Sequence, residues 1–197
     1  MITIIDYGAG NLRSVENTLG ALGAPYELTR SAEGVLAAEK LILPGVGHYG
    51  QMMGALDELD LRKSIIEKLN SGSPFLGICL GMQALFDSSA EAPEQAGFSV
   101  FKGRVERFSA DARVPHMGWN EIVPVKPGRL LDGIGVKPYV YFAHSYYCPL
   151  VAATAAKCNY TLDYTAAIEQ DNIYGVQFHP EKSGPLGLKI VRNFVEL

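Results

Sequence analysis

The chain has 197 residues, 48 % of them hydrophobic and 19 % charged, with a formal net charge of −4. That balance fits an ordinary globular domain with one sizeable core. No run approaches the roughly 18 apolar residues of a membrane span, and no Lys/Arg-rich stretch suggests a nucleic-acid partner.

The N-terminus, Met1-Ile2-Thr3-Ile4-Ile5-Asp6-Tyr7-Gly8, lacks a basic segment and a small-residue cleavage site. It reads as a first buried strand and not as a signal peptide. The strand ends in Gly8-Ala9-Gly10. Asn11 is expected to cap a helix carrying Leu12, Val15, Leu19 and Leu22 at helical spacing. A strand near Tyr26–Thr29, a helix near Ala32–Ala38 and a strand at Lys40–Leu43 follow. The last stops at Pro44-Gly45-Val46-Gly47. Helical patterns cover Tyr49–Glu58 and Leu61–Leu69. Pro74–Ile78 is a third apolar strand, running into Cys79 and a helix over Gly81–Phe86.

Repeated β-α-β units predict an α/β fold: a mostly parallel central sheet with helices on both faces. Ligands in such sheets bind beyond the carboxyl ends of the strands, so the three loops after residues 5, 43 and 78 should share one edge. The second half is richer in strands, at Gly103–Phe108, Asn120–Val123, Tyr139–Phe142, Ala153–Asn159, Thr165–Gln170 and Ile173–Phe178. Asp171-Asn172 is a tight hairpin turn. A last helix over Leu186–Val195 carries Leu188, Val191 and Val195 on one face. Without a repeat or linker, one domain spanning residues 1–197 is expected.

Gly77-Ile78-Cys79-Leu80-Gly81 has the glycine-x-nucleophile-x-glycine pattern of a sharp strand-to-helix turn. Flanking glycines avoid clashes there. Such a turn aims the sulfur outward, sets the thiol at a helix N-terminus that favours thiolate, and leaves the Leu80 N–H free to face an oxyanion. Cys148 and Cys158 lack such a turn and read as inert core thiols. An odd cysteine count also argues against disulfides and a four-cysteine zinc site, and points to a reducing cytoplasm. A thiolate nucleophile needs a base and a group that orients it. Of the four histidines, His179 ends the apolar run Tyr174–Phe178 and is followed by Pro180 and Glu181. Glu181 is within reach of its imidazole. Gly8-Ala9-Gly10 has Arg13 where a dinucleotide fingerprint needs its third glycine, and no histidine pair has zinc-ligand spacing. No metal and no organic cofactor are expected. No role is read for His48.

Together, Gly77–Gln83 and Gly175-Val176-Gln177-Phe178-His179-Pro180-Glu181 resemble the triad (class I) glutamine amidotransferases, with their flavodoxin-like fold. Further segments, Pro44–Gly47, Pro115-His116-Met117-Gly118-Trp119-Asn120, Tyr141–Tyr147 and Lys182-Ser183, are similar to the branch that supplies the glutaminase subunit of imidazole glycerol phosphate synthase. The resemblance runs from Asp6 to Phe194. It implies hydrolysis of L-glutamine to glutamate and ammonia, with Cys79 as nucleophile, His179 as base and Glu181 as orienter. It implies Leu80 and the Val46-Gly47 amides as oxyanion hole, and Gly45, Gln83 and the backbone of His144, Ser145 and Tyr146 around the substrate. It further implies a heterodimer with a (β/α)8-barrel cyclase of histidine biosynthesis, met through Asn11, Trp119, Asn120, Tyr141 and Lys182. The cyclase would use the ammonia to form imidazole glycerol phosphate and aminoimidazole carboxamide ribonucleotide. Another amidotransferase branch and a non-catalytic subunit of the same fold stay open as alternatives.

Overall fold

A computed structural model describes residues 1–197. The elements are β1 (Ile2–Ile5), α1 (Leu12–Ala21), β2 (Tyr26–Thr29), α2 (Ala32–Ala37), β3 (Lys40–Leu43), α3 (Tyr49–Glu58), α4 (Arg62–Asn70), β4 (Phe75–Ile78), α5 (Leu80–Gln83) and β5 (Phe86–Ser89). They continue with β6 (Phe101–Arg107), β7 (His116–Glu121), β8 (Val123–Pro124), β9 (Tyr139–His144), β10 (Tyr146–Tyr147), β11 (Thr154–Tyr160), β12 (Leu162–Gln170), β13 (Ile173–Val176), a 3-10 turn at Pro180–Lys182 and α6 (Gly184–Val195). No helix is long and apolar enough to cross a membrane.

Eight strands form the central sheet in the order β2-β1-β3-β4-β13-β12-β11-β8. The first five are parallel, while β12, β11 and β8 add on antiparallel. The mostly parallel sheet of the sequence reading is therefore present, with its hairpin region grafted on one side. Alternation along the strands divides the core. Ile2, Ile4, Ile42, Leu76 and Ile78 pack with Val15 and Leu19 of α1 and with Ile190, Val191 and Phe194 of α6. Ile5, Leu41, Leu43 and Phe75 face the other way, onto Val35, Met52, Met53, Leu56, Ile65 and Leu69 of α2, α3 and α4. Both faces are covered, so the parallel strands read as continuous apolar runs.

Several expectations need correction. The helix after Cys79 is four residues long and does not extend to Phe86, because Phe86–Ser89 pairs with β6 as a parallel strand. A short apolar run carries no periodicity to separate these outcomes. The strand pair β7–β9 begins four residues earlier, at His116, than the expected Asn120. The last helix starts at Gly184, with proline in its first turn as helices tolerate. Its buried face is Gly187, Ile190, Val191 and Phe194, so of the three apolar residues read along one face Val191 is buried. Gly187 sets that rotation: an added Cβ would lie 1.9 Å from the Pro180 carbonyl oxygen. Asn11 occupies the position before α1, but its side chain makes no capping bond to the backbone.

Candidate active site

Cys79 and His179 come from neighbouring strands. β4 and β13 pair in parallel with Ile78 opposite Val176, and the Cys79 N–H donates to the Val176 carbonyl at 2.7 Å. Cys79 has φ 54° and ψ −105°, a left-handed conformation that is strained for a residue with a side chain. The flanking glycines permit close packing. A Cβ on Gly81 would lie 2.0 Å from the Leu43 carbonyl oxygen, and one on Gly77 would lie 2.5 Å from Gly81. The expected elbow is present, with one change. A four-residue α5 has few aligned peptide units, so its dipole is weaker than that of a full helix.

His179 Nδ1 lies 2.8 Å from Glu181 Oε1, and both side chains are 2 % exposed. Burial alone would lower the His179 pKa. Hydrogen bonds to Cys79 and Glu181, and the charges of both, outweigh it and push the value up to about 10. A carboxylate beside an imidazole favours the imidazolium in this way. The Glu181 Oε1 also accepts from Asn11 Nδ2 at 3.5 Å, while Oε2 is buried without a partner. The turn itself is fixed from behind. His179 N–H donates to the Tyr141 carbonyl at 2.8 Å, and the Ser183 hydroxyl donates to the His179 carbonyl at 2.7 Å.

The Leu80 amide is not free, which corrects the sequence reading. It donates to the Gly45 carbonyl at 3.4 Å. Gly45 lies so close over the elbow that a Cβ there would be 2.5 Å from Leu80 Cβ. The loop between β3 and α3 therefore presents a carbonyl where the expected hole needs N–H groups. Gly47 holds φ 94° beside it.

These groups open on a cavity of about 300 Å³ lined by Val46, Gly47, Cys79, Leu80, Gln83, Glu91, Pro115, Met117, Ala143, His144, Ser145, Tyr146, His179 and Lys182. Gln83, 1 % exposed, donates from Nε2 to the Tyr146 carbonyl and to Gln177 Oε1, each at 3.0 Å. Its Oε1 has no partner. His144 Nδ1 also meets the Tyr146 carbonyl, at 2.8 Å. Around the His116–His144 pair, where the Tyr164 hydroxyl also lies 3.2 Å from His116 Nδ1 and from His144 Nε2, the side chains of Asn120, His116 and His144 fit one assignment. Asn120 Nδ2 donates to His116 Nε2 (3.3 Å), His116 Nδ1–H donates to His144 Nε2 (3.2 Å), and His144 Nδ1–H donates to Tyr146. Burial lowers the pKa of His116 to about 4. For His144, burial and the neighbouring histidines outweigh the Tyr146 carbonyl and lower it to about 3. Both are therefore neutral near pH 7, as the chain of bonds requires.

The expected partner-facing residues divide. In the β7–β9 ribbon Trp119 stands opposite Tyr141 and Glu121 opposite Tyr139. Met117, Trp119 and Tyr139 are exposed. Trp119 meets Tyr141 edge to face at 6.1 Å, and Lys182 Nζ lies 5.9 Å from the Tyr141 ring centre. These three cluster beside the cavity mouth. Asn120 is one residue out of phase with Trp119, and its amide is tied to His116 and the Asn159 carbonyl. Asn11 sits apart, against Glu181. His48 caps α3, accepting from the Gly50 N–H. No group of three His, Cys, Asp or Glu side chains is arranged to hold a metal ion.

Sequence reasoning assigned no role to Gln177, Glu91, His116 or Met117. For Gln177 a signal existed: it is the long polar side chain in the otherwise apolar run Tyr174–Phe178, two residues before His179. Nothing in the spacing points to Glu91, which reaches the cavity from the segment after β5 and accepts from the Tyr49 N–H at 2.8 Å.

Residues 3–197 match the family described as glutamine amidotransferase class-I. The chain is 47 % identical over 196 residues to "Imidazole glycerol phosphate synthase subunit HisH" of Desulfitobacterium hafniense, covering 98 % of this chain and 93 % of that protein. It is 48 % identical over 200 residues to the protein of that name from Methanosarcina mazei, covering 100 % and 98 %. Its fold is similar to a solved structure titled "Crystal structure of glutamine amidotransferase", with a TM-score of 0.79 at 21 % identity over 100 % of this chain and 98 % of that one. With the family description covering nearly the whole chain and such relatives matching end to end, the protein belongs to the class-I glutamine amidotransferases.

Proposed function

We propose that the protein is the glutaminase subunit of an imidazole glycerol phosphate synthase, acting as one domain over residues 1–197 in the cytoplasm. It hydrolyses L-glutamine and delivers ammonia to a cyclase partner in histidine biosynthesis. The observation that carries this reading is the buried Cys79–His179–Glu181 group at the cavity wall, in a chain nearly half identical to subunits of that name. Three free cysteines suit a reducing compartment.

In this mechanism the Cys79 thiolate attacks the side-chain amide carbon of glutamine. The tetrahedral oxyanion collapses to a glutamyl thioester as His179 hands its proton to departing ammonia. His179 then takes a proton from water, the hydroxide adds to the thioester, and glutamate leaves with Cys79 restored. Glu181 keeps the His179 Nδ1 proton in place. The free Oε1 of Gln83 suits the substrate's ammonium, beside the backbone of His144, Ser145 and Tyr146. The oxyanion needs Leu80 N–H, which Gly45 holds. The Gly45 carbonyl and the Val46 N–H belong to one peptide unit. Turning that unit over removes the blocking carbonyl and brings a second donor to the site, completing the hole. The exposed Met117–Trp119–Tyr139 face next to the cavity mouth suits a docked partner, which would hold the loop turned and enclose the ammonia.

The test of this reading supplies the protein, a cyclase from the same pathway, its formimino carboxamide nucleotide substrate, and glutamine labelled in the amide nitrogen. Label in imidazole glycerol phosphate is expected. Glutamine hydrolysis without transfer to that product would assign the chain to another amidotransferase branch.

A further inference from the structure

Gln177 is fully buried and sits opposite the nucleophile, because the β4–β13 register that pairs Ile78 with Val176 puts the next residues side by side. Its Nε2 lies 3.5 Å from Cys79 Sγ. Its orientation is fixed by what meets its other end. Gln83 Nε2 donates to Gln177 Oε1 at 3.0 Å, and the Cys148 thiol donates to the same oxygen at 4.0 Å. Burial raises the Cys148 pKa well above its usual range, so Cys148 stays a thiol and serves as donor. Two donors on Oε1 leave the Gln177 amide N–H groups as the end that faces the sulfur.

We propose that Gln177 is a further catalytic residue, whose amide N–H stabilises the Cys79 thiolate and whose carbonyl ties the nucleophile to Gln83. The sulfur, 4 % exposed, then has the Gln177 amide as a donor in addition to the charge of the His179 imidazolium. A hydrogen bond to a charged acceptor in such surroundings is stronger than one between neutral groups. The link to Gln83 adds a consequence for substrate binding. Gln83 Oε1 is the unpartnered buried atom of the chain Tyr146–Gln83–Gln177–Cys79. A glutamine ammonium that engages it polarises the Gln83 amide, and through Gln177 the donor on the sulfur. That second step rests on the glutaminase reading above. The first step does not.

The test uses the whole chain and needs neither glutamine nor a partner. Purified Gln177→Met and Gln177→Glu variants, checked for native melting, are alkylated with iodoacetamide at pH 7.5, and labelling of Cys79 is followed by mass spectrometry. Glutamate is the closer replacement in shape and still accepts from Gln83 and Cys148, but it places a negative charge beside the sulfur. The expected order of Cys79 labelling is native, then Met about tenfold slower, then Glu slower still. A packing role predicts the opposite order for the two variants. Equal rates in all three, or Glu faster than Met, overturn the proposal even if both variants melt normally. If glutaminase assays on the same samples, run with the cyclase and its bound nucleotide, find no hydrolysis by the native chain, the functional reading and the coupling to Gln83 fall. The labelling order still decides the role of Gln177 at the sulfur.

Discussion

On one wall of the cavity Cys79, His179 and Glu181 stand assembled: a 2.8 Å imidazole–carboxylate bond, both side chains buried, and a nucleophile locked at φ 54° by the packing of Gly77 and Gly81. On the adjoining wall, packed against Leu80 and Gly81, the Pro44–Gly47 loop is not set for the proposed reaction. Its Gly45 carbonyl occupies the Leu80 N–H. Both walls follow parallel strands of one sheet. They differ because the triad is held by side-chain and strand bonds within the core, whereas the Gly45 carbonyl is held by a 3.4 Å backbone bond that a peptide rotation can exchange. On the proposed mechanism, proton transfer is prepared in advance, and stabilisation of the oxyanion is left to be switched on.

The largest expected effect is on the prepared wall. Cys79→Ala should abolish glutamine hydrolysis while leaving the melting temperature near the native value. Ammonia release at the native rate by this variant would remove the nucleophile from the account. Glu181→Gln should come next, lowering kcat/KM by about 10²-fold because the neutral amide no longer supports the imidazolium. The same variant has a pH signature. His179 is raised from 6.5 to about 10 in the fold, so its stabilising contribution is fully present below pH 6.5 and is lost as the pH rises through 10. The melting-temperature gap between native protein and Glu181→Gln should therefore be widest near pH 6 and close above pH 10. A gap that does not change with pH would mean the pair is not ionised as described.

A smaller effect is expected from His116→Phe. The ring lies stacked on Tyr160 at 3.9 Å and against Phe142 at 4.8 Å, so phenylalanine keeps the packing and removes the donor to His144. Loosening the His144–Tyr146 segment should raise KM for glutamine about threefold, with kcat nearly unchanged, because a contact made equally in ground and transition states is lost. A fall in kcat with constant KM would place His116 on the reaction path instead.

The two walls also differ in how far the sequence discloses them. The elbow is legible from Cys79 between Gly77 and Gly81, and the proposed base from His179 at the end of an apolar strand. Both signals are local. The parallel half of the sheet is legible for the same reason, since β1, β3 and β4 are short apolar runs ending in glycine-rich loops. What stayed hidden depends on register and on peptide orientation. Gln177 reaches Cys79 only because Val176 pairs with Ile78. Asn120 turns inward and Trp119 outward only through the phase of the β7–β9 ribbon. The helix after Cys79 stops at Gln83 because Phe86 finds a strand partner 15 residues on at Phe101. The Gly45–Val46 peptide could face either way with the same residues, so no pattern of side chains predicts that it covers Leu80.

The contrast between a finished triad and a masked oxyanion hole is tested most directly by glutamate release with and without the cyclase and its bound nucleotide. Uncovering one main-chain donor in such a hole is worth about 10²-fold in rate. Stimulation of at least that order is therefore expected, carried by kcat more than by KM. Equal rates for the free and partnered chain would contradict the account, because the Leu80 amide would then be serving the reaction without any partner to release it.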